Sequence, residues 1–534
     1  MALRRIQISQ FLYWMAVAGL FAIAVWQRFS LPLDPIADPD TWGYLAPALQ
    51  KLTGLEFVHQ GRNFIYPGFL FLVLRLFGDF RAISVVQHIL GLAAGGLLLM
   101  TWRRAHTFVA APRLKAWSHN VLGLAATAIF LVAGDPIRTE MQIRPEGVCA
   151  FFLSLNLWCV VQFIGDTFVE KKQPSVRLGV GLVLTAVVLA SLKPSFVFLA
   201  LISLLPLGVL FLCPGFSSRK FWLAAGAITG ALLFLLPEYL LSRNDQFARV
   251  FLPTTLFVIH ADIIRDQMAD DLKLGAQLPY SREWLSRVHA ELSEEIEKSA
   301  TPGPEYYPSL GFSPDHLMYR ENSIASRLDE EFQHNVAVLT NFYRFYYGRT
   351  WQHRPFAMAQ KIVRQMAIFY APRCPAYDPS KIMLLTDRYQ LGVASLNDDT
   401  YRGVWQNYRP AVEFVSRTDS LSHDAGSILQ RKVLRRSLTF LARAYRPLLF
   451  VTLIFAVAAF FHPRRPLGWL AALTLFVFSY NAAACFEVAI IHSLEVVRYT
   501  FVQMFFTLLA EFLALWLVIE SLFRKREQPG VSTA

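Results

Sequence analysis

Long apolar runs recur along the chain, and shorter stretches rich in lysine and arginine separate them. Runs of roughly 17–25 mostly apolar residues are long enough to cross a bilayer as helices. The chain has 534 residues, of which 54% are hydrophobic and only 17% are charged. The pattern therefore predicts an all-α integral membrane protein with about ten transmembrane helices. The predicted spans are 9–27, 83–102, 119–135, 145–164, 177–193, 195–213, 221–241, 443–461, 467–486 and 500–522.

Basic residues predict the orientation, because cytoplasmic loops of membrane proteins are enriched in Lys and Arg. The first run, 11–26, is not followed by an evident small-residue cleavage site, so we expect an uncleaved first helix. With the amino terminus inside, every inside loop or tail is basic, which favours ten spans over one fewer or one more. The basic groups are Arg4-Arg5, Arg103-Arg104 with Arg113 and Lys115, Lys171-Lys172 with Arg177, Arg219-Lys220, Arg464-Arg465 and Arg524-Lys525-Arg526.

This orientation divides the chain into three parts. They are an N-terminal membrane module with seven spans (1–241), a periplasmic domain (242–442) and a C-terminal membrane module with three spans (443–534). The middle part contains more than half of the 39 acidic residues. Helical patterns there predict a large, mostly helical domain, and they cover 280–299, 326–347 and 354–370.

The apolar run 64–78 is too short to span the bilayer, and Arg75 would be costly at its centre. We expect this run to lie along the outer membrane surface. The net charge of +12 does not indicate nucleic-acid binding, because the basic residues collect beside apolar runs and form no stripe with interleaved aromatics. Of the five cysteines only Cys374 lies in the large polar region, and no CxxC pair supports a zinc or redox motif.

Ionisable residues collect at the predicted outside ends of the spans. Asp38 and Asp40 follow the first span; they are candidates for a helix cap, for a catalytic carboxylate or for ligands of a divalent metal ion. A short loop then holds Asp135, Arg138, Glu140, Arg144 and Glu146, where Glu146 is alternatively a favourable charge at a helix start.

Further ionisable residues occur at two later span ends. Lys193 precedes Pro194 and is alternatively a lysine that reaches up to the interface. His492, Glu495, Arg498 and Tyr499 open the last span, where Glu495 and Arg498 are alternatively a local salt bridge, three residues apart. Acids and bases on one side of the membrane suit an anionic lipid headgroup together with a general base.

Several of these residues fall into short motifs. In order, the motifs are Asp40-Thr-Trp-Gly-Tyr44, Arg62 with Tyr66-Pro67 before a short apolar helix, Arg144-Pro-Glu146, Lys193-Pro194, and Glu495 with Arg498-Tyr499. In this order and topology the chain resembles the glycosyltransferase C superfamily. More narrowly, it resembles the bacterial branch related to protein O-mannosyltransferases and to the aminoarabinose transferase of lipid A. The resemblance covers residues 1 to about 240 and resumes at about 440.

The resemblance implies a sugar donor on a polyprenyl phosphate, used at the periplasmic face of the bacterial inner membrane by a single inverting displacement. It also implies that Asp40 is the general base. Cations stabilise a departing phosphate, so the expected phosphate ligands are Arg62, Arg144, Lys193 and Arg498. The other site candidates are Asp38, Tyr44, Tyr66, Glu140, Glu146, His492, Glu495 and Tyr499.

Asp40 is preferred over Asp38 because Asp38 precedes a proline, which suits a cap or turn. Loss of a cap costs about 1 kcal/mol. The expected partners are the lipid-linked donor, membrane lipids and a cell-envelope acceptor. The sequence of the 242–442 domain resembles no acceptor-binding module, so it does not identify the acceptor. The alternatives are a transporter or flippase of lipid-linked glycans, and a non-catalytic glycan-binding relative. Charges at span ends and the lack of a sequence repeat argue against a transporter.

Overall fold

The computed structural model of the protein describes residues 2–57, 61–214, 217–243, 245–301, 306–397, 399–461 and 467–525. Part of the basic pattern that predicts the orientation lies outside the described side chains, namely Arg4, Arg5, Arg464, Arg465, Arg524, Lys525 and Arg526.

Regular structure in the described residues is almost entirely α-helical, as predicted. The helices that begin before residue 242 are α1 (Ala2–Phe29), α2 (Thr41–Leu52), α3 (Ile65–Phe77), α4 (Arg81–Ala105), α5 (Ala116–Val132), α6 (Gly134–Glu140), α7 (Glu146–Ile164), α8 (Val176–Leu192), α9 (Val197–Ser203), α10 (Leu205–Leu212) and α11 (Ser218–Ser242).

The long region from 242 to 442 contains short helices and one small sheet. Its helices are α12 (Gln246–Ile259), α13 (Ala261–Leu274), α14 (Arg282–Ser299), α15 (Pro314–Tyr319), α16 (Ile324–Glu331), α17 (Val336–His353), α18 (Pro355–Phe369), α19 (Thr386–Leu396), α20 (Asp399–Trp405) and α21 (Arg409–Leu421). Strand β1 (Ile382–Leu384) pairs antiparallel with β2 (Ser427–Leu429), with Met383 opposite Ile428. The chain ends with α22 (Lys432–Phe461), α23 (Gly468–Ile491), α24 (Val497–Phe501) and α25 (Met504–Lys525).

The protein is a multi-pass membrane protein. Among the described residues, eight helical segments are long and apolar enough to cross a membrane: Ser9–Phe29, Arg81–Phe108, Glu146–Val169, Pro194–Leu212, Ser218–Ser242, Lys432–Ala459, Gly468–Ile491 and Met504–Phe523. Two bent pairs pass the same test, α5 with α6 at 50° and α12 with α13 at 78°, so length and composition allow up to ten spans. Of the predicted spans, 119–135 falls mostly on α5, and 177–193 falls on α8, which has only 17 residues.

Local caps explain where the structure differs from the helical patterns of the large region. The pattern at 326–347 is split into α16 and α17, because Gln333 and His334 adopt the left-handed backbone conformation, with φ angles of 54° and 57°. The side chain of Asn335 then caps α17 by accepting a hydrogen bond from the Val338 N–H at 3.3 Å. Residue 442, the expected boundary of the domain, lies inside the continuous helix α22, whose first turns are basic and polar.

The membrane helices have two chemically distinct ends. At one end Arg104 binds Asp166 at 2.8 Å and Glu170 at 2.6 Å, which joins two of the predicted inside loops. Glu520, near the end of α25, accepts hydrogen bonds from the backbone N–H groups of Arg113 and Leu114 at the same end. The predicted site residues lie at the opposite end, where α7 begins and α8 finishes.

Candidate functional site

Two extended segments meet at the centre of the site. The Ile36 N–H donates to the Met141 carbonyl at 2.7 Å, and the Ile143 N–H donates to the Ile36 carbonyl at 3.0 Å. This short parallel pairing fixes the register between the segment after α1 and the segment before α7. It brings Asp38 next to Arg144, whose Nε donates to the Asp38 carboxylate.

Asp40 is the point on which the predicted cations converge. Its Oδ2 lies 2.6 Å from Arg498 Nη1 and 3.1 Å from Arg144 Nη2, and its Oδ1 lies 3.1 Å from Arg62 Nη2. The side chain is 30% exposed, so the carboxylate can be reached by a ligand. Residues distant in sequence therefore surround this carboxylate, which precedes α2 directly, as the helical run from Thr41 predicts.

The two aspartates differ in charge environment. Burial would raise the pKa of Asp40, but the guanidinium groups of Arg498, Arg144 and Arg62 outweigh it and hold that pKa well below its usual range. Burial dominates at Asp38 and raises its pKa, although Arg144 opposes the rise. Asp38 Oδ1 also accepts the Asp40 N–H at 2.9 Å, so Asp38 forms the predicted turn and a buried ion pair as well.

Arg62 reaches Asp40 across the surface of α2. A Cβ at Gly43 would stand 2.8 Å from Arg62 Nε, so the glycine leaves space for this approach. The guanidinium carbon of Arg62 also lies 4.9 Å from the centre of the Tyr44 ring. Tyr66 stands behind Tyr44, with ring centres 5.5 Å apart. The Tyr44 ring thus lies between Arg62 and Tyr66.

Lys193 and Glu146 form a buried pair beside this centre, with Nζ and Oε1 2.6 Å apart. The same Nζ lies 4.6 Å from the centre of the Tyr499 ring, and the Arg498 guanidinium carbon lies 5.2 Å from it. Tyr499 is therefore placed between two cations, which favour an aromatic face. Lys193 extends into the site and does not simply reach up to an interface.

Glu495 does not form the local salt bridge with Arg498 that their spacing suggests as an alternative. It instead accepts hydrogen bonds from Ser309, at 2.7 Å from Oγ and 3.1 Å from the backbone nitrogen. Gln365 on α18 donates to Ser309 Oγ at 2.6 Å and accepts the Leu494 N–H at 2.9 Å. The large region thus holds the turn that precedes Arg498, and Arg498 is left to pair with Asp40.

Two other predicted site candidates, His492 and Glu140, do not contact Asp40. Burial lowers the pKa of His492 to about 3, helped by Arg498 and Lys361, so the imidazole is neutral at pH 7. Its ring lies tilted against that of Tyr499, with the ring centres 5.2 Å apart. Glu140 lies apart from Asp40, fully paired with Arg28 at 2.7 Å and His88 at 2.8 Å. The structure places Glu140 in this separate buried network.

Two cavities adjoin the centre. One of about 350 Å³ is bordered by Asp38, Arg144, Glu146 and Arg498, together with Arg138 and Arg388. The other, of about 500 Å³, lies within the large region and is closed on one side by Arg62. It is lined largely by apolar and aromatic side chains of α12 and α17, including Phe247, Val250, Phe251, Leu339 and Tyr343.

The arrangement does not fit a divalent cation at Asp38 and Asp40. Both carboxylates face arginines, and Arg144 contacts each of them. Within the described ranges, no group of three or more His, Cys, Asp or Glu side chains is placed to hold a metal ion. Guanidinium groups around the carboxylates would repel a cation and attract an anion.

Sequence reasoning missed several residues of the site. Arg388 follows β1 in a region without a recognisable motif, and Ser309 and Gln365 are ordinary polar residues in sequence. Gly43 is part of the Asp40–Tyr44 motif, which is the one signal that could have revealed it. No model of a protein family matches the chain, and no curated protein matches it either. The resemblance to the glycosyltransferase C superfamily therefore rests on its motifs.

Proposed function

We propose that the protein is a membrane glycosyltransferase that moves a sugar from a polyprenyl-phosphate donor to an acceptor hydroxyl. One observation carries the proposal: Arg62, Arg144 and Arg498 converge on the partly exposed carboxylate of Asp40, at the end of the membrane helices where α7 begins. Cationic groups at the end of the membrane helices suit a lipid phosphate, because a guanidinium group can bind two phosphate oxygens. A carboxylate among them supplies a base for the acceptor.

The reaction is a single displacement at the anomeric carbon. The acceptor hydroxyl oxygen forms the new glycosidic bond, and the bond from that carbon to the donor phosphate oxygen breaks with inversion. The hydroxyl proton passes to Asp40, which must be within hydrogen-bond reach of the hydroxyl. The electron pair of the broken bond leaves with the polyprenyl phosphate, whose charge Arg498 and Arg144 stabilise.

Donor binding would also activate the base. Without a donor, the arginines hold the pKa of Asp40 low, which makes the carboxylate a weak proton acceptor. A donor phosphate brings negative charge to Arg498 and Arg144 and offsets their pull on Asp40. The proton affinity of Asp40 then rises when the substrate that needs it is bound.

The reaction would take place at the periplasmic face of a bacterial inner membrane. The predicted inside loops carry the Lys and Arg excess typical of cytoplasmic loops, and Arg104 and Arg113 lie at the end of the helices opposite the site. The 242–442 region would then lie in the periplasm, and we propose its 500 Å³ cavity beside Arg62 as the site for a cell-envelope acceptor.

Mass spectrometry of cell-envelope glycans, with and without the protein, tests the proposal. We expect loss of one sugar modification together with accumulation of a polyprenyl-phosphate-linked sugar on the periplasmic side. The wild-type gene should restore the modification and Asp40→Asn should not. Accumulation on the cytoplasmic side would indicate a transporter instead. Unchanged glycans would refute the proposal.

A further inference from the structure

The cavity beside Asp40 is lined by more arginines than a single phosphate requires. Arg144 and Arg498 border it, and both already contact Asp40. Arg138 and Arg388 border the same cavity, and neither belongs to the motifs that resemble a known family. Arg138 is on α6 and Arg388 is on α19, so two distant parts of the chain direct further positive charge to one place.

Arg388 carries the clearest surplus of charge. Among the described residues, no carboxylate lies within ion-pair distance of it, whereas Arg138 pairs with Asp135 at 2.6 Å. The Arg388 side chain is exposed at the mouth of the cavity. Partial burial and the positive charges of Arg138 and Arg144 lower its pKa, against the opposing charges of Asp387 and Asp135. Guanidinium groups that repel one another across a cavity are stabilised when an anion enters between them.

The size of the cavity allows more than one anionic group. Its volume is about 350 Å³. Since a cavity of about 10–15 Å³ is enough to hold one water molecule, there is room for two phosphate-sized groups. The carboxylates at its wall are already paired, Asp38 with Arg144 and Glu146 with Lys193. Neither carboxylate pairs with Arg388, so its guanidinium group can bind an anion in the cavity.

We propose that this cavity binds two phosphate-class groups at once, the first on Arg498 and Arg144 and the second on Arg388 and Arg138. The inference rests on the proposed function and extends it to the substrate class. The second group is either the second phosphate of a polyprenyl-pyrophosphate donor or an anionic group of the acceptor. The two sources share the same chemistry and differ in which molecule carries the charge.

Equilibrium binding to the purified full chain distinguishes these sources. The probes are polyprenyl monophosphate, polyprenyl pyrophosphate of equal chain length, and inorganic phosphate added to protein loaded with the monophosphate. The variants are Arg388→Gln, Arg138→Gln and Arg498→Gln. Arg409→Gln is the matched control, because the Arg409 side chain on α21 is 90% exposed and, among the residues that the structure describes, forms an ion pair only with Glu413, one turn away.

A donor source predicts that the wild type binds the pyrophosphate roughly ten- to a hundredfold more tightly than the monophosphate, as expected for charge-assisted hydrogen bonds. Arg388→Gln should lose this preference and keep its affinity for the monophosphate. An acceptor source predicts no such preference; inorganic phosphate then binds the loaded wild type, and Arg388→Gln abolishes that binding. Arg138→Gln should weaken whichever of these two interactions the wild type shows, and Arg409→Gln should change neither the preference for pyrophosphate nor the binding of inorganic phosphate.

The inference is overturned if Arg388→Gln and Arg138→Gln leave both measurements at wild-type values. The proposed function survives that result, provided that Arg498→Gln weakens monophosphate binding. If neither lipid binds the wild type, the proposed function fails, and this inference fails with it.

Discussion

At Asp40 one carboxylate balances the charge of several guanidinium groups. Arg498 and Arg144 contact one oxygen, and Arg62 contacts the other. Charge-assisted hydrogen bonds of this kind are about twice as strong as neutral ones. Asp40 therefore occupies the same guanidinium groups that the anionic donor of the proposed function would have to bind.

Gly43→Ala should weaken the site without unfolding the protein. The added methyl group would meet the flexible Arg62 side chain at Nε, so Arg62 should move away from Asp40. We expect turnover to fall roughly tenfold, the effect of one lost charged contact. Gly68→Ala is the control, since its nearest neighbour would be 3.9 Å away. Equal turnover in the two variants would show that Arg62 is dispensable.

The pH dependence of kcat/KM should report the lowered pKa of Asp40. This parameter follows the free enzyme, in which Asp40 stays ionised as the pH falls below its usual pKa of 3.8. We expect no loss from Asp40 between pH 7 and about pH 5. Arg498→Gln removes the cation that lowers the pKa of Asp40 most. As the pH is lowered, the remaining kcat/KM of this variant should therefore begin to fall at a higher pH than that of the wild type. An acid limb identical to that of the wild type would contradict this account.

The sequence placed Asp40, Arg144, Lys193 and Arg498 at span ends, because hydropathy marks those ends directly. It did not identify their partners. Glu495 has the spacing for a helical pair with Arg498, yet it bonds to Ser309, because the large region packs against that turn. Partners set by tertiary contacts leave no local signal in the spacing of residues.

At the scale of elements, a buried ion network joins α1, α4 and α6. Arg28 and Glu140 form a bidentate pair at 2.7 and 2.8 Å, and His88 contacts the same carboxylate. Arg28 Nη1 also donates to the Leu131 carbonyl at 2.8 Å, near the bend between α5 and α6. Arg28 sits at the end of an apolar helix, so its charge was visible in sequence, although its partner was not.

Glu140→Gln should destabilise the protein strongly. It leaves the fully buried Arg28 without its counter-charge, which typically costs about 3–5 kcal/mol. Thermal unfolding in detergent measures the effect. Glu413→Gln is the control, because the exposed pair of Glu413 with Arg409 is worth only about 0.3–0.5 kcal/mol. Equal melting temperatures would mean that the network is not structural.

At the scale of the whole molecule, the membrane helices separate a basic end from the site. Lys172 and Glu170 lie at the basic end, 2.5 Å apart, and Asp40 and Arg498 lie at the other. Hydropathy did not settle the number of crossings: α8, a predicted span, has only 17 residues, and α12 with α13, in the region predicted to face water, together have the composition of a span. Both bent helix pairs have the composition of a span, and hydropathy does not reveal a bend.

Reporter fusions test the sidedness. Fusions after Lys172 and Lys220 should report the cytoplasm, and a fusion after Asp315 should report the periplasm, because basic loops are retained inside. A cytoplasmic signal after Asp315 would place the large region and the site on the wrong face for a periplasmic acceptor.

The central claim is that Asp40 is the base of a sugar transfer, and turnover of purified Asp40→Asn tests it most directly. The donor is the lipid-linked sugar fraction from cells that lack the protein. Asn keeps the shape of Asp and removes its basicity, so turnover should fall by roughly 10²–10⁴-fold while the protein still folds. The control Asp38→Asn should instead lose about 1–3 kcal/mol of stability, because it weakens a buried bond to Arg144. Full turnover in Asp40→Asn would contradict the account.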